Sequence, residues 1–116
     1  MSEVVILHNP RCSKSRATLD LLTQRGIQPR IVDYLKDPPS PEELERILSL
    51  LGLTAREFMR RGDEEYRTLG LHDERLGHAD LLAALCAHPR LIERPIVIAN
   101  GKAAIGRPPE SVLDIL

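Results

Sequence analysis

The 116-residue sequence has no tryptophan, two tyrosines and one phenylalanine. Tyr34, Phe58 and Tyr66 are too few and too scattered to build the aromatic platform on which single-stranded nucleic acid stacks. Neither sign of charge is in surplus, because 16 Lys and Arg stand against 17 Asp and Glu, leaving a net charge of −1. Bulk attraction to nucleic acid or to an anionic membrane is thereby excluded, and any affinity for an anion must come from a local cluster. Long apolar runs are also missing, since nothing approaches the roughly 20 residues of a membrane span. Met1-Ser2-Glu3 has neither the basic start nor the apolar stretch of a secretory signal. Cys12 and Cys86 are too few and too distant for the disulfide framework of a secreted mini-protein. His8, His72, His78 and His88 are dispersed without the Cys/His spacing of a zinc site, so no metal is expected. These absences point to the reducing cytoplasm.

What is present is ordinary globular composition, 42% hydrophobic and 28% charged, at a length that suits one domain over residues 1–116. Val4 to Leu7 is a β-branched, apolar run closed by Asn9 and Pro10, and predicts a buried strand. Leu19, Leu21 and Leu22 continue into a helix that Gly26 should end, and Arg30 to Leu35 predicts a second strand. Strand, helix and strand at this spacing make a βαβ unit with parallel strands. Ser40-Pro41-Glu42-Glu43 has capping-box spacing with proline in the first helical position. Leu44, Ile47, Leu48 and Leu51 mark the apolar face of that helix, with Gly52 as its stop. Thr54 to Glu57 opens a shorter helix that Gly62 should end, a further short piece falls near 64–69, and Leu81, Leu82, Leu85 and Cys86 line another helix closed by His88-Pro89. Pro95 to Ala99 predicts a strand, Asn100-Gly101 a type I′ hairpin, and Lys102 to Ile105 its partner. Pro108-Pro109-Glu110 starts a last helix. The order is that of an α/β thioredoxin-like fold: a four-stranded mixed sheet with a helical insertion, about 40–90, between the second and third strands.

The chemistry concentrates in LHNPRCSKSR, Leu7 to Arg16. A strand turning into a helix N-terminus presents unpaired backbone N–H groups, which favour a thiolate over a thiol. Cys12 stands at that point with Arg11, Lys14 and Arg16 around it, and Ser13 and Ser15 could add hydroxyl donors toward the sulfur or a bound oxyanion. The competing reading is a small inert cysteine that happens to sit at a helix start. A dithiol exchanger would need a cysteine at Ser15, and a phosphotyrosine-phosphatase loop needs five residues between Cys and Arg where Cys12 and Arg16 enclose three.

HNPRCSKSR followed by TLDLL, then VDYLKDPPSPEEL, REFMRR, HPRLIERPIV and IGRPPESVLDIL, resembles the glutaredoxin-dependent arsenate reductase family over essentially the whole chain. The resemblance implies that Cys12 attacks arsenate and that Arg60, Arg94 and Arg107 bind the oxyanion or steady the arsenylated cysteine. It links His8 to thiol activation and matches Pro95 to the cis-proline of thioredoxin folds, so Arg94–Pro95 is expected to be cis. Ser15 and Arg16 are supporting residues of the same loop. It implies no bound cofactor, with glutathione as reductant and glutaredoxin as partner, since a single active-site thiol must borrow electrons.

Other readings of the same residues stay open. Arg60-Arg61 suits a solvated helix end, Arg94 a surface ion pair, and His8 a satisfied structural histidine. Cys86 is expected in the core, with a resolving thiol for Cys12 as the alternative. A related glutathione-dependent thiol reductase, or an RNA polymerase-binding regulator of the same fold, are the competing functions. Ser15 counts against the CxxC pair with which such regulators sense oxidation.

Overall fold

In the computed structural model, which describes residues 3–116, the apolar run after Glu3 forms β1 (Val5–His8). A tight turn leads into α1 (Ser13–Gln24), which ends just before Gly26, and the chain returns as β2 (Arg30–Asp33). β1 and β2 pair in parallel, Val5 opposite Arg30 through His8 opposite Asp33. The second strand is shorter than the sequence suggests. Asp33 turns the chain: its carboxylate accepts from the Leu35 amide and its carbonyl from Lys36 and Asp37, so Tyr34 and Leu35 leave the sheet.

After the insertion come β3 (Ile96–Ala99) and β4 (Lys102–Ile105), joined by Asn100 and Gly101, both at positive φ as a type I′ turn requires. The sheet order is β2-β1-β3-β4, with β3 antiparallel to both β1 and β4. This is the mixed four-stranded, thioredoxin-like sheet expected from the element order. Ile6, Leu22, Val97, Ala99, Val112 and Ile115 form the core beneath it. The last helix is not an α-helix but a 3₁₀ helix, Pro109–Ile115. Its three-residue period stacks Val112 directly over Ile115, and those are its two buried residues. The Asn100 amide donates to the Ile115 carbonyl at 2.9 Å and ties this segment to the hairpin.

The chain divides into two compact units: residues up to Asp37 with Arg94–Leu116, which carry the sheet, and Pro38–Glu93. The second unit is helical: α2 (Pro41–Leu51), α3 (Ala55–Phe58), α4 (Glu64–Thr68) and α5 (His78–Ala87), followed by a 3₁₀ turn at Pro89–Leu91. Ser40 caps α2 by accepting from the Glu43 amide, and Thr54 and Glu57 form both bonds of a capping box on α3. α3 stops at Phe58, short of the expected Gly62, because Met59 is extended and the Arg60 amide donates to the Leu91 carbonyl at 2.8 Å instead of continuing the helix. α2 and α3 both pack on α5, and their buried residues are Leu44, Ile47 and Leu48 on α2, Ala55 and Phe58 on α3, and Leu81, Leu82 and Leu85 on α5. Among the described residues no helix is long and apolar enough to cross a membrane.

Candidate active site

The turn between β1 and α1 is built by Asn9. Its backbone carbonyl accepts from the Cys12 amide and its side-chain carbonyl from the Arg11 amide, each at 3.0 Å. Pro10 occupies the second turn position, where its fixed φ is suited, and its carbonyl accepts from Arg16 Nη1 at 2.8 Å. The turn delivers Cys12 to the N-cap of α1, and the Cys12 carbonyl accepts the first helical bond from Arg16.

Cys12 does not act as a conventional neutral cap. Its partial burial alone would push the thiol pKa up. The backbone amides of Ser15 and Lys14 and the charged, hydrogen-bonding guanidinium of Arg94 more than offset that, and the pKa lies below that of an ordinary cysteine. The decisive cation is therefore Arg94, brought from the far side of the insertion, and not the neighbours Arg11, Lys14 and Arg16. Arg11, Lys14 and Arg16 are exposed, and Arg16 is engaged on Pro10.

His8 ends β1 with its side chain on the face of Ile6, two residues earlier, which is the face covered by α1. There its Nδ1 lies 2.6 Å from Ser15 Oγ, which also accepts from the Asn9 amide at 3.0 Å. Burial lowers the His8 pKa, Asp33 across the parallel pair opposes this, and Arg16 adds to it. With Nδ1 of the neutral ring as acceptor, the Ser15 hydroxyl can donate to it while its oxygen accepts from the Asn9 amide. The Ser15 hydroxyl, expected to face the sulfur or a bound oxyanion, is instead fully buried against His8 and the Asn9 amide, and the Ser15 amide is the group that acts on Cys12.

Arg94–Pro95 is cis, as expected, and Arg107–Pro108 is cis as well, which the sequence reading did not anticipate. The Pro95 carbonyl accepts from the Gly106 amide at 2.9 Å, and Arg107 Nε donates to the Arg94 carbonyl at 2.8 Å. Two arginines distant in sequence are thus locked together by the backbone around Pro95. One of them, Arg94, is the cation that favours the Cys12 thiolate. A thiolate lined by amides and a guanidinium can attack an electrophilic centre that carries anionic oxygens.

The ArsC family model matches residues 7–115, from before the Cys12 turn to the end of the 3₁₀ helix. The chain belongs to the ArsC family. It is 53% identical over 117 residues to a protein named arsenate reductase from Neisseria meningitidis serogroup A, covering 100% of each chain. It is 50% identical over 115 residues to the uncharacterized protein YfgD of Escherichia coli K12, covering 98% of this chain and 97% of that one. A solved structure named arsenate reductase from Vibrio cholerae superposes with a TM-score of 0.96 at 54% identity, covering 98% of both chains.

Of the residues singled out from the sequence, this ArsC chain gathers His8, Cys12, Ser15, Arg16, Arg94, Pro95 and Arg107 in its sheet-bearing unit. Arg60 belongs to the helical unit, where its Nη1 lies 3.8 Å from the buried Asp63 carboxylate, itself shared with Arg90 at 3.7 Å. Cys86 on α5 is half-buried rather than fully in the core, and burial raises its pKa. Among the described residues no group of His, Cys, Asp and Glu is placed to hold a metal ion. Sequence reasoning missed Asn9, Thr18 and Gly106. Thr18 is fully buried in line with Ser15 and Leu22, a stripe that apolar periodicity overlooks because its first two members carry hydroxyls.

The opposite shifts of the two thiols predict a separation by pH. Alkylation of the folded protein with iodoacetamide should reach its plateau at a lower pH for Cys12 than for Cys86, read by peptide mass spectrometry. A Cys12 that titrates at or above Cys86 would contradict the site geometry.

Proposed function

We propose that this protein reduces arsenate to arsenite through Cys12, in the cytoplasm, with electrons from glutathione and glutaredoxin. The observation that carries this reading is the seat of Cys12 at the N-cap of α1, where the amides of Ser15 and Lys14 and the Arg94 guanidinium favour its thiolate. The arsenate reductase name of the Neisseria and Vibrio relatives supports the substrate. Ser15 in the place of a second loop cysteine supports an external thiol as reductant.

In this mechanism the Cys12 thiolate attacks arsenic, an S–As bond forms and water leaves with protons from the medium. Arg94 and Arg107 hold the oxyanion, since planar guanidinium forks match its oxygens and spread the developing charge, and the family resemblance assigns Arg60 the same role. A glutathione thiolate then attacks the Cys12 sulfur. The S–As bond breaks with its electron pair passing to arsenic, which leaves as arsenite, and a Cys12–glutathione disulfide remains. Glutaredoxin attacks the glutathione sulfur of that disulfide and frees the Cys12 thiolate.

A coupled assay tests this: NADPH oxidation with glutathione, glutathione reductase and glutaredoxin, started by arsenate. Arsenate-dependent NADPH consumption is expected. It should be lost when glutaredoxin is omitted and should not be restored by thioredoxin with its reductase. Folded, reduced protein without arsenate-dependent consumption in any arm would overturn the proposal. In the same assay Arg94→Lys, Arg107→Lys and Arg60→Lys should each lower kcat/KM for arsenate by about tenfold or more, because lysine keeps the charge and loses the fork. Near-normal turnover in all three would remove the arginines from the substrate site.

A further inference from the structure

We propose that Asn9 is a positioning residue for Cys12, fixing the turn that seats the sulfur at the mouth of α1. Asn9 is 9% exposed, and three of its groups are used within seven residues of chain. Its amide donates to Ser15 Oγ at 3.0 Å, its carbonyl accepts from the Cys12 amide at 3.0 Å, and its side-chain Oδ1 accepts from the Arg11 amide at 3.0 Å. The first bond anchors the end of β1 to the first turn of α1. The other two close the turn between them. The other side-chain bond to the Pro10–Arg11 segment is that of Arg16 Nη1 to the Pro10 carbonyl, made by an exposed side chain on the solvent side of the turn.

Cys12 depends on the result because the favourable effect of helix amides falls off within the first turn. A shift of the N-cap residue away from Lys14 and Ser15 therefore weakens their hold on the thiolate. Replacement of Asn9 by alanine keeps both backbone bonds and removes only the Oδ1 acceptor. The amide it leaves belongs to exposed Arg11, where water can reach it, so the turn loosens without a large penalty to the fold. Serine at the same position supplies a short side-chain oxygen able to close a similar turn.

This inference rests on Cys12 as the reacting thiol, and its test contains no arsenate, so its failure and the failure of the arsenate reading are separate results. In a Cys86→Ser background, the rate of iodoacetamide alkylation is measured against pH for the parent, Asn9→Ala and Asn9→Ser, with folding followed by circular dichroism. Asn9→Ala should move the alkylation midpoint to higher pH. Below the midpoint its rate should be roughly three- to tenfold slower, the thiolate lost by a rise of about half to one pKa unit. Asn9→Ser should return to within about twofold of the parent, which a merely space-filling role for Asn9 would not produce. A folded Asn9→Ala with the parent profile, or an Asn9→Ser as slow as the alanine variant, overturns the proposal. Should Asn9→Ala fail to fold, Asn9→Ser decides alone: a parent-like profile supports the proposal and a shifted one overturns it.

Discussion

Cys12→Ser should abolish arsenate reduction while leaving the protein as stable as before, or more so. The serine hydroxyl is a far weaker nucleophile than the thiolate and cannot form the mixed disulfide, so turnover should fall by a factor on the order of 10⁴ or more. At the N-cap of α1, however, serine is among the preferred residues, and its oxygen can accept from the amides of Lys14 and Ser15 that now face sulfur. A gain of a few tenths to about 1 kcal/mol is expected from that cap. The gain should depend on pH. Because the Cys12 pKa is lowered by folding, the thiolate's contribution to stability is fully present above the unfolded thiol's pKa and disappears as pH falls through the folded one. The advantage of serine is therefore largest at low pH and shrinks as pH rises. Thermal melts at several pH values, beside the coupled assay, check both halves. Retained arsenate turnover in Cys12→Ser would exclude Cys12 as the nucleophile.

Gly106→Ala should be the most destabilising conservative change in the sheet-bearing unit. A Cβ at this position would lie 2.5 Å from Thr18 Oγ1, 2.7 Å from Pro95 Cγ and 3.2 Å from Thr18 Cγ2. Neither neighbour can move far: Thr18 is fully buried with its hydroxyl donating to the Lys14 carbonyl at 2.9 Å, and the closed Pro95 ring can change only its pucker. Overpacking of this kind costs about 1–3 kcal/mol. Relief by moving the backbone would stretch the Gly106–Pro95 bond and shift Arg94 and Arg107, which are joined through the Arg94 carbonyl. Arsenate kcat/KM should therefore fall with stability. Denaturant unfolding of Gly106→Ala, Thr18→Ala and the double variant measures the clash. The double variant removes two of the three close approaches and should be less destabilised than the sum of the singles. An unchanged unfolding midpoint in Gly106→Ala would show that the loop gives way without cost.

The strands, the caps of α2 and α3 and the type I′ hairpin were legible because each rests on local chemistry: a β-branched apolar run, a hydroxyl before a carboxylate, an asparagine before a glycine. The lengths of β2 and α3 were not, since Asp33 and the Arg60–Leu91 bond end them through partners that apolar patterning does not register. The same division holds in the site. Cys12 at a helix start can be read from the strand and helix on either side of it. The cation that matters could not be assigned by proximity in sequence, because Arg11, Lys14 and Arg16 are nearer in the chain but Arg94 is the one whose guanidinium lowers the Cys12 pKa. Asn9 and Pro10 carry little signal as a dipeptide, and acquire meaning only once the Arg11 and Cys12 amides are seen to end on Asn9.

The strand order has a consequence for synthesis. β1 is bonded on one side to β2, which follows closely, and on the other to β3, where Val5 opposes Ile98. At about 5–20 residues per second, a ribosome needs roughly 5 to 20 seconds to pass from β1 to β3. Throughout that interval one edge of β1 has no partner strand, an open template for wrong pairing with other nascent chains. The helix amides that serve Cys12 are already made, but Arg94 has yet to leave the exit tunnel. The thiol therefore reaches its full acidity only after the chain has closed its sheet, and reactivity becomes a late product of translation.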